Sequence, residues 1–217
     1  MEQEERNMDA LLAGYVAGTL AEPALILVRS HLEISPVNRG FIRDLEAFGG
    51  DMLEEIEPAA ITGREEKLKA IFSDTAFENA PSLTSAPRKP SDILPNALRD
   101  FLGYDLKDVP WRTRLPGMKE YKLGEIDGCN VSMLWIRAGM AMPTHTHHGT
   151  ELTLVLDGGF SDGIGHYIRG DVSYADESVD HKPVADDDGD CICFAVTEGD
   201  LQLTGPVGRF FAPFIRG

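Results

Sequence analysis

From Met8 to about Ala76 the apolar residues recur at three- and four-residue spacing: Leu11, Leu12, Tyr15 and Val16, then Leu25, Val28 and Leu32, then Phe41, Leu45, Phe48, Met52 and Ile56. That spacing puts each group on one side of an α-helix. Gly18-Thr19, Pro23, Pro36, Gly49-Gly50 and Pro58 interrupt the pattern, so it predicts three or four short helices. Thr62, three residues ahead of Glu65, predicts a capping box that opens the last of them. Between Phe77 and Pro95, Pro81, Pro87, Pro90 and Pro95 stand among serine, threonine and basic residues, a composition that stiffens the backbone without supplying a core. Beyond it the period changes to two, in Asn130–Ile136, Glu151–Leu156 and Cys191–Val196, with Gly, Asp and Pro turns between the runs. From about residue 104 to the end this predicts an all-β barrel or sandwich. The fold class is therefore α + β in two domains: a small helical domain over residues 1–76, a proline-rich linker over 77–95 and a β domain over 96–217.

Acidic residues outnumber basic ones 36 to 20, a formal charge of -16 that opposes attraction to a phosphate backbone or an anionic membrane surface. No direct nucleic-acid binding and no membrane attachment are expected, and a basic protein surface is the partner such a charge suits. The start, Met1-Glu2-Gln3-Glu4-Glu5-Arg6, lacks the basic and apolar regions of an export signal, and the apolar run Ala24–Val28 is far too short to span a bilayer. A cytoplasmic protein is the expectation. Cys129, Cys191 and Cys193 are too few for a disulfide framework, and the last two, spaced by one residue on a strand, are expected as buried thiols.

The chemistry concentrates in Gly139-Met140-Ala141-Met142-Pro143-Thr144-His145-Thr146-His147-His148-Gly149-Thr150-Glu151. On a strand, His145 and His147 point to one face, and Glu151 can return to that face after a short turn. Two imidazoles and a carboxylate then converge. Gly170-Asp171, the strand Val172-Ser173-Tyr174 and Asp180-His181 offer His181 as a fourth ligand. Such a set suits a divalent metal, and donor softness does not choose among zinc, iron, nickel, copper and manganese. His148 falls on the opposite face as a rim residue, and His166 sits in a turn exposed to solvent.

The spacing Gly, five residues, His-x-His, three residues, Glu, six residues, Gly resembles the first motif of the cupin superfamily, and Gly-Asp ten residues before a histidine resembles its second. Further segments are similar to the ChrR family of anti-sigma factors. These are Asp9-Ala10-Leu11-Leu12 with Tyr15, Ala17-Gly18-Thr19-Leu20, Val109-Pro110-Trp111-Arg112-Thr113, Glu151–Leu156 and Asp190-Cys191-Ile192-Cys193. The resemblance implies a helical domain that clamps an extracytoplasmic-function sigma factor and keeps it from RNA polymerase. It also implies a C-terminal cupin barrel needed for release under stress such as singlet oxygen. It carries the cupin ligands over to His145, His147, Glu151 and His181, with zinc the foremost metal and iron, nickel or manganese the alternatives. A homodimer through the barrel's sheet edges is suggested by fold analogy alone.

The N-terminal domain departs from that family. A zinc site there needs an early histidine and a His-x3-Cys-x2-Cys motif, and the corresponding positions read Arg6, His31, Ser35 and Asn38. One imidazole without thiolates does not make a four-coordinate zinc site, so no metal is expected in the helices, and His31 is expected as a helix-end or partly buried residue. The competing reading is a cupin-type metal-dependent dioxygenase acting on a small diketone or phenolic compound. Such an enzyme has no use for residues 1–76, whereas a sigma antagonist needs them.

Overall fold

The computed structural model describes residues 2–74 and 91–204, and side chains from Arg6 onward. Residues 77–90 of the expected linker lie outside the described residues. The helical periodicity resolves into α1 (Glu2–Ala17), α2 (Glu22–Ile34), α3 (Arg39–Glu54) and α4 (Arg64–Ser73). The breaks fall at Gly18-Thr19, Pro36 and Pro58, with Pro23 in the first turn of α2, where its missing N–H costs nothing, but Gly49-Gly50 does not interrupt the helix and lies inside α3. The expected Thr62 capping box does not form. The helix opens one residue later, at Gly63 in a left-handed conformation with φ 68°, which removes the Thr-to-Glu spacing the box requires. Glu65 instead accepts from Arg64 Nη1 at 2.6 Å.

A short helix that the periodicity did not disclose, α5 (Asn96–Leu102), and a 3-10 turn (Leu106–Asp108) precede the strands. Eleven strands follow among the described residues: β1 (Arg112–Leu115), β2 (Met118–Ile126), β3 (Cys129–Ile136), β4 (His145–His147), β5 (Glu151–Asp157), β6 (Gly159–Ser161), β7 (His166–Ile168), β8 (Val172–Ala175), β9 (Val184–Ala185), β10 (Cys191–Glu198) and β11 (Leu201–Leu203). They form a six-stranded sheet in the order β1-β2-β3-β10-β5-β8, a three-stranded sheet β7-β6-β9 and a pair β11-β4. All the pairings are antiparallel, as expected of a cupin barrel.

Chain packing gives two compact units, residues 1–45 with 91–217, and Glu46–Pro90. In the first, the large sheet is covered on both faces. Leu152, Leu154 and Leu156 of β5 with Ile192, Phe194 and Val196 of β10 face Leu12, Leu27, Val28, Leu98 and Leu102 from α1, α2 and α5. The intervening Val155, Cys191, Cys193 and Ala195 turn inward, against Phe160 and Tyr167 of the small sheet. Burial at every position from Leu152 to Leu156 and from Cys191 to Val196 departs from the alternation read in the sequence, because both faces of β5 and β10 are covered.

Polar contacts fix α2 on the barrel. The Glu33 carboxylate accepts from the backbone N–H groups of Asn96 and Ala97 at 2.7 and 2.9 Å, so one helix caps the N-terminus of another. His31, 4% exposed, lies 2.6 Å through Nδ1 from the Gly170 carbonyl, and its Nε2 lies 3.0 Å from Asn38 Nδ2. A carbonyl only accepts and an amide nitrogen only donates, so His31 carries its proton on Nδ1 and is neutral. Gly170 must be glycine: its φ is 94°, and a Cβ would stand 3.0 Å from Ile34 Cγ2.

In the second unit, α4 has no buried residue, and the part of α3 beyond residue 45 leaves its apolar face open, with Phe48, Met52 and Leu53 at 64%, 55% and 69% exposure. Among the described residues no single helix is long and apolar enough to cross a membrane.

Two outcomes follow from the packing. Gly158, at φ 66°, lies against the Asp190 carbonyl where a Cβ would fit poorly, whereas Gly163 has open space around it. Gly158→Ala should destabilise the protein by about 2 kcal/mol or more in urea unfolding, with Gly163→Ala nearly neutral. Burial lowers the His31 pKa from its ordinary 6.5, against smaller raising effects from the Gly170 hydrogen bond and the Asp171 charge. The unfolded chain therefore takes up this proton first, so His31's contribution is present above about pH 6.5 and is lost as pH falls through the lower folded value. Unfolding free energy should fall less between pH 7 and pH 5 in His31→Gln than in the parent.

Candidate metal centre

Strand β4 places His145 and His147 on one face, both buried, with Thr146 between them turned outward. A tight turn through Gly149, at φ 98°, brings the chain back so that Glu151 opens β5 on the same side. His181 arrives from the far end of the sequence through a two-way backbone bridge: His145 N–H donates to His181 O and His181 N–H to His145 O, both at 3.0 Å. Pairing of β4 with β11, His147 opposite Leu201 and His145 opposite Leu203, holds the other side of the strand.

All four residues named from the sequence meet. One donor atom from each of His145, His147, Glu151 and His181 lies within 4.8 Å of the others. Nε2 of His181 is 3.0 Å from Nε2 of His145 and 3.4 Å from Nε2 of His147. Glu151 Oε2 is 3.0 Å from His147 Nε2 and 3.6 Å from His181 Nε2. A tetrahedron of ligands about 2.1 Å from a central ion has edges of roughly 3.4 Å, which these separations bracket.

Proton bookkeeping points the same way. His145 Nδ1 donates to the Pro143 carbonyl at 2.7 Å, so in the neutral ring Nε2 carries a lone pair. His181 Nδ1 lies 3.0 Å from Asp162 Oδ2, which leaves the Nε2 lone pair of its neutral ring facing that of His145. Two lone pairs 3.0 Å apart repel unless a proton or a cation lies between them. In the metal-free protein the proton belongs on His181: burial pulls that imidazole down, but hydrogen bonds to Asp162 and Glu151 and their charges outweigh it and raise it to about 9. Burial holds His145 down at about 4, against the opposing charge of Glu151. Burial would raise Glu151, yet the hydrogen bonds from His147 and His181 hold its carboxyl well below the usual carboxylate range. The site is thus one fixed carboxylate and three imidazoles in a nearly dry interior, a set that could hold a divalent metal ion.

Asp162 is the functional residue that sequence reasoning missed. Its Oδ1 accepts from the backbone N–H groups of Ile164 and Gly165 at 2.8 and 3.0 Å, which builds the β6–β7 turn, while Oδ2 fixes the His181 tautomer. Burial opposes its ionisation, but these three hydrogen bonds lower its pKa. In the sequence it reads as an ordinary Asp-Gly turn. His148 is exposed, as expected; His166 is exposed too, but it opens β7 rather than sitting in a turn, and it pairs with Asp186 at 2.8 Å. All three cysteines are buried and unbridged, with the Cys191 and Cys193 sulfurs 3.5 Å apart. The hydrogen bond to Cys191, together with burial, pushes the Cys193 thiol well above its ordinary pKa.

With this geometry in hand, comparisons with known proteins agree with one another. The model of the ChrR cupin-like domain matches residues 100–201. The anti-sigma-E factor ChrR of Cereibacter sphaeroides is 36% identical over 209 residues, 96% of this chain and 96% of that protein. The crystal structure of Rhodobacter sphaeroides SigE in complex with the anti-sigma ChrR is similar at 37% identity and a TM-score of 0.66, over 87% of this chain and 96% of that one. The match runs through the helices as well as the barrel, so the chain belongs to the ChrR family of anti-sigma factors.

Proposed function

We propose that this protein is a cytoplasmic anti-sigma factor that sequesters an extracytoplasmic-function sigma factor with residues 1–76, joined by residues 77–95 to a sensory cupin domain over 96–217 that binds one zinc ion through His145, His147, Glu151 and His181. The observation that carries the sigma-binding part is the open apolar surface of the helices. Besides Phe48, Met52 and Leu53, Ile56 is 64% exposed, and on α4 Ile71 and Phe72 are 62% and 85% exposed. Large apolar side chains left open in this number mark a protein interface. The similar ChrR was solved with SigE bound, and the match covers most of both chains. The net charge of -16 favours encounter with a basic partner. A cupin dioxygenase would leave these helices and their open face without a role.

Zinc suits the quartet because neutral imidazoles and one carboxylate at tetrahedral edge lengths are its habitual ligands, whereas iron, nickel and manganese prefer more positions. When bound, it supplies a fixed positive charge that ties β4, β5 and the His181 segment together. The residues around it do the orienting: Pro143 O and Asp162 set two ring tautomers, and the Asp162 turn holds the β6–β7 hairpin beneath His181. A route from the site to the helices exists within the first unit. β8, which pairs with Glu151 through Ala175, begins just after the Gly170-Asp171 turn on which His31 rests. A change in the metal centre that shifts this turn would be felt by α2 as a coupling free energy.

Three results would check the reading. Purified protein should form a stable complex with one of the organism's extracytoplasmic-function sigma factors, lost on removing residues 1–76; no complex with any of them would refute it. Phe48→Asp should weaken that complex at least tenfold while leaving the melting temperature within a few degrees. Elemental analysis should find one zinc per chain, lost in the His145→Ala, His147→Ala double variant, and Asp162→Asn should lower zinc affinity about 10- to 100-fold with the quartet intact. Unchanged metal in the double variant would remove these residues as ligands.

A further inference from the structure

The barrel interior changes character along two neighbouring strands. Val131 and Met133 of β3 and Phe194 and Val196 of β10 pack under the helices, so the alternate positions turn inward. On β3 these are Ile136, Leu134, Ser132 and Asn130, and on β10 Cys191, Cys193, Ala195 and Thr197, with Ile136 paired to Cys191 and Asn130 to Thr197. One end of this inner face is therefore apolar, and the other carries neutral hydroxyl and amide groups. A cavity of about 530 Å³ lies over the polar end and extends past Leu134 and Met142 as far as His145 and Glu151 of the quartet. Leu115 and Met118 add to its apolar wall, while Glu120 and Lys122 of β2 turn inward with Arg114 of β1. Its volume is that of a small-molecule site, with the mixture of apolar wall and a few convergent polar groups that such sites have.

Each buried charge in the lining already has its partner. Arg114 Nε donates to Glu120 Oε2 at 2.6 Å, and both side chains are largely buried, at 22% and 16% exposure. Glu151 Oε2 faces His147 and His181 at 3.0 and 3.6 Å, so its charge is matched inside the quartet whether a proton or a metal ion sits there. Lys122 has an interaction of its own, and both it and Asp200 are exposed to water at the open end. An ionic ligand would have to shed its hydration here without meeting an unmatched charge, which is costly. A neutral one needs only what the inner face offers. Leu134 and Met142 give apolar contact, and Ser132 and Thr197, diagonal neighbours on β3 and β10, carry hydroxyls that both donate and accept. We propose that this cavity binds an uncharged amphiphile, a short hydrocarbon carrying one hydroxyl, carbonyl or amide group, with that group at Ser132 and Thr197 and the hydrocarbon against Leu134 and Met142. Neither end of such a ligand needs the quartet, so binding does not depend on metal occupancy, and the barrel has a ligand site besides its metal centre.

The test is calorimetric titration of hexanamide, hexanoate and hexylammonium into full-length protein, zinc-loaded and metal-free, with zinc per chain measured on the same samples. Hexanamide should saturate one site per chain, with the same affinity in both samples. The two ions, alike in length, should bind at least tenfold more weakly. Acetamide, which lacks the chain that reaches the apolar wall, should also lose at least tenfold. The nearly isosteric Ser132→Ala, Thr197→Val double variant should lose about fivefold or more in hexanamide affinity, and Thr197→Val alone decides the point if the double variant fails to fold. Absence of hexanamide binding, equal binding of either ion or of acetamide, or an affinity untouched by the hydroxyl variants overturns the proposal. Binding seen only with zinc overturns it as well, because it puts the ligand on the metal. A protein that takes up no zinc yet binds hexanamide as expected refutes the metal-centre reading and leaves this proposal standing.

Discussion

Three imidazole nitrogens and a carboxylate oxygen gathered within 4.8 Å, in an interior nearly closed to water, constrain everything near them. With the Nδ1 protons of His145 and His181 committed to Pro143 O and Asp162, the lone pairs at the centre need a positive charge among them, and either a proton or a metal ion meets that need. Local features of the fold serve the same end. The two-way bridge between His145 and His181 fixes the spacing of two rings, and the Gly149 turn sets the reach of Glu151. The Asp162 turn ties the β6–β7 hairpin to the ring of His181. Rigidity of this kind makes a site whose occupancy changes the barrel rather than one that adapts silently to what it holds.

A second constraint is the burial of the six-stranded sheet on both faces. Because Phe194 and Leu154 are covered by α1, α2 and α5 while Cys193 and Val155 face the barrel interior, β5 and β10 form one wall shared by the helical layer and the interior that gathers the histidine quartet. A displacement of either strand is therefore registered on both sides at once, since close-packed interiors do not deform independently face by face.

The residues that carry chemistry stood out in the sequence because ligand spacing on a strand is rigid: His145 and His147 two apart cannot point anywhere but to a common face. Glu151 was legible through the same motif, and His181 through the second, with Gly170-Asp171 ten residues ahead of it. Asp162 was not, because its two roles, closing a turn and orienting a histidine, share one side chain, and only the first leaves a mark in local sequence. Helix α5 was hidden for a related reason: it has seven residues, opens after Pro95 without a side-chain cap of its own, and takes its cap from Glu33 on another helix. The Thr62 box failed because a capping motif states a preference that a one-residue shift to a left-handed glycine is enough to cancel. The charged inner face of β2 was invisible because partly buried alternation reads the same whichever face is the interior.

The helices raise the question of what holds them where a metal is expected to be missing. In a zinc-bound domain the ligating histidine would be fixed by the ion; here His31 is fixed by the Gly170 carbonyl and by Asn38, a residue standing where the family has a cysteine. Asn38 lies near the start of α3 and His31 near the end of α2, so this hydrogen bond crosses the same helix junction that a metal would have clamped. The exchange has a chemical consequence. A zinc–thiolate cluster responds to oxidants directly, through loss of its thiolates, whereas an amide–imidazole–carbonyl chain has nothing to oxidise. Because His31 bridges α2 to the turn beside β8, this contact also connects the helices to the strand that pairs with Glu151.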